Sequence, residues 1–263
     1  MIYVENNEKS YSKYLQREIP GISPEKMGKV FGPPMNPMNA LPFTEKTKLL
    51  EADYQNDEIG YCAMFDGTGY VADINFIPGA TVEMVDWYFA WRGLEPERYQ
   101  ILDPKNNLAA MTMQTRKTKD PDLTYQEKYW DSTQTIAKKA FFGPPKETFF
   151  NYKCPSDVGF LMEKIGDDRS LICIRAYEKG MPPQAGPDYF ITHLVSAKDG
   201  GVEIRTKIWD GWTIRYGQDF KALPDGFRMT PVFPQPLLMA NAAEWASLAP
   251  ILPQLYAEEK DNF

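Results

Sequence analysis

Histidine is almost absent from this chain of 263 residues, which has a single imidazole, His193. Its three cysteines, Cys62, Cys154 and Cys173, are widely spaced and form no Cys-x-x-Cys pair. A zinc site that this chain builds alone from two or more histidines, or from a cluster of cysteine and histidine, is therefore excluded. An odd, scattered set of cysteines also predicts no disulfide framework, and a reduced, cytoplasmic setting is expected.

Positive charge is the minority charge, because 29 lysines and arginines face 36 aspartates and glutamates and the net charge is −7. No basic run is interleaved with aromatic residues, so nucleic-acid binding is not expected. No apolar run is long enough to cross a bilayer, and the N-terminal residues have no apolar signal-peptide region. The motifs G-x-G-x-x-G, G-x-S-x-G and the P-loop are also missing, which removes support for three common enzyme classes.

Apolar and aromatic residues are abundant, at 43% and 14% of the chain. This composition predicts a substantial core, and it fits an aromatic pocket for a planar ligand and a plain aromatic core equally well. Residues 1–50 are polar and contain the stretch "FGPPMNPMNALP", which predicts an irregular N-terminal arm. No change of composition marks a second boundary, so residues 51–263 are predicted to form one domain.

The order of local patterns predicts an α+β fold. A hairpin is expected around Asp66-Gly67, followed by a helix that begins after the N-cap Thr81 and stops near Gly93. Short β-rich runs follow, separated by Gly, Pro or Asp turns, and helical character returns from about Pro236. Consecutive strands with segregated helices favour an antiparallel sheet, which is expected to curve around the C-terminal helix and leave a cavity between them.

Few side chains stand out as chemical candidates. His193 alternates with Ile191 and Val195 in "DYFITHLVS", which places its imidazole on an inward face, either as a satisfied core histidine or as a general acid or base. Lys138 and Lys139 interrupt a β-rich run, so one of them points inward unless both lie on a solvated face.

Arg92 follows Trp91 at the end of the aromatic helix, where a surface cation is the simplest reading. Tyr99 and Asn107 flank the stretch "QILDPKN" and fit ordinary turn residues as well as site residues.

The order of several motifs resembles the diacetylphloroglucinol hydrolase and phloretin hydrolase family from about residue 58 to the C-terminus. The motifs are "GYC", "DGTGY", "PGATVEMVDWYFAWRG", "RYQILDP", "YQEKYWDST", "CPSDVGF", "ITHLVS", "GGVEIRTKIWDGW" and "AEWASLAPILPQLYAEE". The resemblance implies a helix-grip fold of the START or birch-allergen type. It also implies zinc-dependent hydrolysis of the carbon–carbon bond between a phenolic ring and an acyl group.

The same resemblance implies four zinc-ligand positions, which this sequence fills with Asn107, Lys138, Ala240 and Glu244. Only Glu244 keeps a ligand type, because an ammonium repels a dication and alanine has no donor atom. The resemblance assigns Tyr99 and His193 to the pocket, and it matches a further pocket asparagine only by Ala110. We expect an ion pair between Lys138 and Glu244 in place of the metal, since a buried, unpaired carboxylate is costly.

The sequence thus predicts a metal-free enzyme that acts on acylated phenols, with no cofactor. The alternatives are a non-catalytic protein that binds a small aromatic or phenolic ligand, and a divergent lyase or isomerase. A homo-oligomer is left open. The predicted catalytic residues are His193, Tyr99, Lys138 and Glu244. The predicted ligand contacts are Asn107, Arg92, Trp91 and Trp209.

Overall fold

The computed structural model describes residues 9–51, 54, 58–139, 145–178 and 188–263. Its strands are β1 (Gly60–Ala63), β2 (Gly69–Pro78), β3 (Asn107–Thr112), β4 (Thr133–Lys138), β5 (Lys146–Lys153), β6 (Arg169–Glu178), β7 (Tyr189–Lys198), β8 (Gly201–Asp210), β9 (Trp212–Arg215) and β10 (Gln218–Lys221). Its α-helices are α1 (Pro24–Phe31), α2 (Val82–Trp91), α3 (Pro96–Gln100), α4 (Thr115–Thr118), α5 (Tyr125–Tyr129), α6 (Pro234–Leu248) and α7 (Leu252–Glu259).

Eight strands form one antiparallel sheet in the order β1-β2-β8-β7-β6-β5-β4-β3, and β9 and β10 form a separate hairpin. Helix α6 packs against β1 and β2, and α7 packs against α2. The predicted α+β class, with an antiparallel sheet and a C-terminal helix packed on it, is confirmed. None of the described helices is long and apolar enough to cross a membrane.

The predicted hairpin at Asp66-Gly67 is present between β1 and β2. The Asp66 carboxylate accepts hydrogen bonds from the Thr68 amide, at 2.9 Å, and from the Thr68 hydroxyl, at 2.6 Å. Gly67 has a φ of +88°, a backbone conformation that a side chain makes costly. The turn chemistry therefore sets the register of the first strand pair.

Helix α2 begins where the sequence predicted, because the Thr81 hydroxyl accepts a hydrogen bond from the Met84 amide at 3.3 Å. Its end depends on space at Gly93 rather than on a left-handed φ. A Cβ atom at Gly93 would lie 2.3 Å from the Thr112 hydroxyl and 2.8 Å from the Gln134 amide nitrogen. The chain therefore turns tightly against β3 and β4 directly after Arg92.

The central part of the sheet is covered on both faces, so β2, β6, β7 and the second half of β8 contain consecutive buried residues. One face, called here the helix face, packs against α2, α6 and α7 and includes Ile172, Ile191 and Ile208. The opposite face, called the arm face, includes Phe190 and Trp209, among other residues, and packs against the N-terminal segment. Two apolar layers therefore share one sheet.

The N-terminal arm is more ordered than the sequence predicted. It contains α1 and three short 3-10 helices at Ser12–Leu15, Pro37–Asn39 and Phe43–Leu50, while residues 1–8 lie outside the described residues. Tyr11 and Phe43 are buried, each in a different core layer. Aromatic anchors thus hold a segment whose prolines suggested an irregular course.

An ion pair also fastens the arm. The Lys26 ammonium lies 2.7 Å from a carboxylate oxygen of Asp73, which is fully buried in β2. The other oxygen of Asp73 accepts a hydrogen bond from the Asn241 amide of α6 at 2.7 Å. Asp73 therefore ties the arm, the sheet and the C-terminal helix to one point.

Two predicted segments differ in detail. The run predicted as a strand after residue 108 ends at Thr112 and continues as α4, because the chain turns at Gln114. The run that contains β4 was predicted to reach residue 142, but residues 140–142 lie outside the described residues. The C-terminal helix is split into α6 and α7 on either side of Pro250, as its prolines predicted.

Substituting Gly93 by alanine should destabilise the protein. The added methyl group meets the Thr112 hydroxyl and the Gln134 side chain, and overpacking of this kind costs ~1–3 kcal/mol. The free energy of unfolding in urea measures the effect. Gly28→Ala is the control, because Gly28 lies in α1 with open space around it and should gain ~0.5–1 kcal/mol. Equal stability of the Gly93 variant and the wild type would contradict the space argument.

Candidate functional site

A cavity lies between the helix face of the sheet, α2 and α6. It is partly open to solvent, and its volume is about 90 Å³. This volume is smaller than the ~300–1,000 Å³ of typical drug-sized ligand sites, so the cavity suits a small ligand. Aromatic and aliphatic side chains form most of its wall, and its polar lining residues are Tyr88, Arg92, Lys138, Tyr189, His193, Asn241 and Glu244.

The predicted contact between Lys138 and Glu244 is present. The Lys138 ammonium at the end of β4 lies 2.5 Å from a carboxylate oxygen of Glu244 in α6. The Tyr99 hydroxyl donates a second hydrogen bond to the same oxygen at 2.6 Å. The Lys138 side chain is 36% exposed and that of Glu244 is 29% exposed, so the pair lies at the cavity wall with partial access to solvent.

The charge of Glu244 is strongly favoured. Burial alone raises the pKa of a carboxyl group, but the Lys138 and Arg92 cations and the hydrogen bonds from Lys138 and Tyr99 outweigh it and lower the pKa of Glu244 to about 2. Desolvation opposes the charge of Lys138, and the facing carboxylate raises its pKa above the usual value all the same. Both groups are therefore ionised at neutral pH.

Arg92 follows α2 and is buried in the cavity wall. Its Nε donates to the Gln134 side-chain oxygen at 3.2 Å, and its Nη2 donates to the Tyr152 hydroxyl at 2.6 Å. The guanidinium also lies 4.4 Å from the centre of the Phe89 ring. Among the described residues it has no carboxylate within ion-pair distance, so its charge is held by neutral partners.

His193 lies on the helix face with Ile191 and Val195, as the alternation predicted. Its Nδ1 lies 2.8 Å from the Thr206 hydroxyl on the neighbouring strand. Burial, with the Arg92 charge second, lowers the pKa of His193 to about 3. The imidazole is therefore neutral at physiological pH, and it is 6% exposed.

The residues at the four implied ligand positions do not form a zinc donor set. The Lys138 ammonium occupies the side of Glu244 where a cation would bind, and Ala240 has no donor atom. The Asn107 amide nitrogen donates to the Tyr99 carbonyl at 3.2 Å. Within the described part of the chain, no three residues of the types His, Cys, Asp and Glu are grouped as metal ligands.

Two residues predicted as ligand contacts, Trp91 and Trp209, do not line this cavity. Trp91 is fully buried on another side of α2, where it stacks on Trp87 with ring centres 5.0 Å apart. Trp209 lies on the arm face, where its indole nitrogen donates to the Leu41 carbonyl at 2.7 Å. Trp91 therefore belongs to the apolar layer of the helix face, and Trp209 belongs to that of the arm face.

Tyr99 and Asn107 are adjacent to the site without lining the cavity. Tyr99 is fully buried, and its hydroxyl is committed to Glu244. Asn107 lies opposite Lys138 in the β3–β4 pairing and holds the backbone of Tyr99. The structure thus groups Tyr99, Asn107, Lys138 and Glu244 on one side, with Arg92 and His193 on other parts of the wall.

Several neighbours were not predicted from the sequence. Tyr88 lines the cavity one helical turn before Arg92, but α2 is buried nearly all round, so its apolar pattern did not single this residue out. Gln134 and Tyr152 come from strands β4 and β5, and no local pattern links them to Arg92. Asn241 follows Ala240 on α6 and reaches Asp73.

Asp210 is a further buried carboxyl group that the sequence did not single out. It ends β8 opposite Tyr189 and Gly69 and is 4% exposed. Burial raises its pKa to about 7. No described residue forms an ion pair with it, so its ionised form is disfavoured in the folded state.

Comparison with known proteins gives consistent matches. The family model described as DAPG hydrolase PhiG domain matches residues 41–257. Phloretin hydrolase of Eubacterium ramulus is 32% identical over 265 residues, which are 98% of this chain and 93% of that protein. A 2,4-diacetylphloroglucinol hydrolase of a Pseudomonas species is 23% identical over 77% of this chain and 69% of its own length. Among solved structures, a point mutant of norcoclaurine synthase from Thalictrum flavum covers 71% of this chain and 95% of its own, at 12% identity and a TM-score of 0.43.

The Lys138–Glu244 pair should show measurable energetic coupling. A double-mutant cycle of Lys138→Met and Glu244→Gln, followed by urea unfolding at pH 7, should give ~0.5–2 kcal/mol. Because the folded pKa of Glu244 is depressed, its contribution is present above ~4, the ordinary pKa of a glutamate, and is lost as pH falls toward about 2. The exposed pair Glu45 and Lys48 is the control, with coupling near zero. Equal coupling in the two pairs would contradict a special role for the cavity pair.

Asp210→Asn should change how stability depends on pH. In the wild type the folded state keeps a proton on Asp210 up to about pH 7, whereas the unfolded chain releases it near ~4. Stability is therefore lost as pH rises through this window, and the variant should gain roughly 1–4 kcal/mol relative to the wild type between these pH values. Asp199→Asn, at an exposed turn, is the matched control. Parallel stability curves for wild type and Asp210→Asn would rule out a raised pKa.

Proposed function

The chain belongs to the DAPG hydrolase PhiG domain family, and from this premise we propose that it hydrolyses the carbon–carbon bond between a phenolic ring and an acyl group without a bound metal ion. Its relatives are named phloretin hydrolase and 2,4-diacetylphloroglucinol hydrolase, so acylated phenols are the proposed substrate class. The observation that carries the metal-free form is the Lys138 ammonium, 2.5 Å from Glu244, at the position where the family resemblance implies a metal ligand.

The reaction consumes one water molecule. The water oxygen bonds to the carbonyl carbon and the bond from that carbon to the ring breaks. The electron pair of that bond stays with the ring carbon, which takes up a proton. The products are a carboxylic acid and the free phenol. Negative charge develops first on the carbonyl oxygen, so a fixed cation beside that oxygen lowers the barrier.

Lys138 is the proposed group that stabilises this oxyanion. Its ammonium is ionised, lies in the cavity wall and is fixed by Glu244. A cation that is already in place needs no rearrangement when the charge appears. Tyr99 is proposed to act through Glu244 as a positioning residue, since its hydroxyl is bonded to that carboxylate.

His193 is the proposed group that moves protons. Contact of Nδ1 with the Thr206 hydroxyl fixes the ring and directs the other nitrogen away from that strand. A neutral imidazole can accept a proton from water at one step and return it to the ring carbon at the next. Phe89 and Trp245 lie within 5.5 Å and 5.4 Å of the imidazole, measured between ring centres, and supply flat walls for an aromatic substrate.

One observation favours the second candidate, a non-catalytic protein that binds a small aromatic ligand. The pKa values of Glu244 and His193, about 2 and about 3, are far from neutrality, and general acid–base catalysis is most efficient when the two are close. Cavity, aromatic walls and cations suit a binder as well as an enzyme.

We expect protein that has been treated with a chelator to convert acylphloroglucinols or phloretin to the free phenol and the acid. The double change Lys138→Met with Glu244→Gln removes both charges together and should lower kcat about a hundredfold, the effect of losing one oxyanion-stabilising group. Product formation followed by chromatography measures the reaction, and metal analysis of the same sample measures bound zinc.

Lys139→Met is the matched control, because Lys139 is the exposed neighbour of Lys138 and should leave turnover unchanged. A full equivalent of tightly held zinc, with turnover that depends on it, would overturn the metal-free proposal. Ligands that raise the melting temperature without any turnover would favour the binder. Asn107→His, Lys138→Glu and Ala240→His together should create zinc binding if the implied ligand positions are correct.

A further inference from the structure

Tyr88 in α2 and Arg92, which directly follows α2, lie in the cavity wall, and the described residues do not fully satisfy either of them. Tyr88 is 1% exposed, and its buried hydroxyl has no hydrogen-bond partner among the described residues. Arg92, four residues later on the same side of the helix, is 3% exposed and has no carboxylate within ion-pair distance in the described chain. Both residues line the cavity. A buried hydroxyl without a hydrogen-bond partner and a buried charge without a counter-ion are each costly, and a ligand with a negative oxygen would complete both.

The net charge of the lining residues also favours an anionic ligand. Among the described lining residues, Arg92 and Lys138 are cations and Glu244 is the single anion, while His193 is neutral. Lys138 and Glu244 compensate each other at 2.5 Å, so one positive charge remains, and it belongs to Arg92. A cavity with one excess buried positive charge favours a ligand with one negative charge.

The guanidinium is held so that it can present a free edge. Its Nε and Nη2 are bonded to Gln134 and Tyr152, and the second of these partners is itself bonded to the first at 3.0 Å. Phe89 stacks against the guanidinium plane at 4.4 Å. The remaining nitrogen, Nη1, has no protein partner among the described residues and is the donor left for a ligand.

We propose that Arg92 and Tyr88 form an oxyanion dock, in which an aromatic ligand is bound as its phenolate rather than as the neutral phenol. The phenolate oxygen accepts hydrogen bonds from Arg92 Nη1 and from the Tyr88 hydroxyl. Charged hydrogen bonds of this kind are stronger than neutral ones, so the dock selects phenols that are acidic enough to ionise. The choice of a phenol rests on the proposed function, whereas the preference for an anion rests on the wall itself.

The dock also gives the two oxygen atoms of one ligand, the acyl oxygen and the phenolate oxygen, separate binding positions in the cavity. Lys138 lies on β4 and Arg92 follows α2, so the acyl oxygen and the phenolate oxygen of one ligand would meet different cations. An acyl group close to its ionised ring oxygen would thereby be oriented toward Lys138. Substrates that lack an ionisable hydroxyl would lose this orientation.

Binding of a hydroxyacetophenone to the intact protein tests the dock, because its phenolate absorbs at longer wavelength than its phenol. Titration of the bound ligand should give a pKa at least about one unit below that of the free ligand, which corresponds to about tenfold tighter binding of the anion. The methyl ether of the same compound cannot ionise and should bind about tenfold more weakly above the ligand pKa.

Tyr88→Phe should remove part of the downward shift while keeping the ring in place. Tyr70→Phe, at a fully buried tyrosine of the arm face, is the matched control and should leave the shift unchanged. A bound ligand that titrates at or above its free pKa, or a methyl ether that binds equally well, would overturn the dock. Turnover of acylphloroglucinol is measured separately: turnover without ionisation refutes the dock alone, and ionisation without turnover refutes the hydrolase alone.

Discussion

The contact between Lys138 and Glu244 joins the end of β4 to the middle of α6, two elements 106 residues apart. It is the point at which the sheet, the C-terminal helix and the short helix α3 meet, since Tyr99 donates to the same carboxylate oxygen. Without the ammonium, Glu244 would keep the Tyr99 hydrogen bond and the more distant Arg92 charge but lose its nearest cation, so its pKa would be less depressed. The ionic state of the cavity therefore depends on this one pair.

The other functional side chains of the cavity wall are held by hydrogen bonds to residues behind them. Arg92 is supported by Gln134 and Tyr152, and His193 is supported by Thr206, so these two side chains have neutral partners that fix their direction. Such support keeps these groups in one geometry before a ligand arrives, and preorganised groups need no rearrangement when charge develops beside them. The arm contributes at a distance, through Lys26 and Asp73, by holding the strand beneath α6.

Much of the fold could be predicted from the sequence because its signals are local. The Asp66-Gly67 turn, the Thr81 cap and the break near Pro250 each act within a few residues. Which way a buried aromatic side chain points is not determined by its neighbours in sequence. Helix α2 is buried nearly all round, so its pattern could not tell that Tyr88 lines the cavity while Trp91 packs away from it.

The site was predictable only in part for the same reason. Strand β8 is covered on both faces, and alternation alone could not show that Trp209 faces the arm. The Lys138–Glu244 contact followed from the resemblance and from the cost of an unpaired carboxylate, whereas the links from Arg92 to β4 and β5 depend on strand pairing between distant segments. The ordered arm was missed because its anchors are single aromatic residues within a stretch rich in proline.

The single histidine, His193, makes the cavity accessible to proton magnetic resonance. It is the single histidine of the chain, and it stands in the cavity wall beside Phe89 and Trp245. The ring protons of one imidazole give one pair of resonances in a proton spectrum, and flat aromatic neighbours shift those resonances strongly. The protein therefore carries one intrinsic magnetic-resonance reporter in its cavity wall, which needs no added probe.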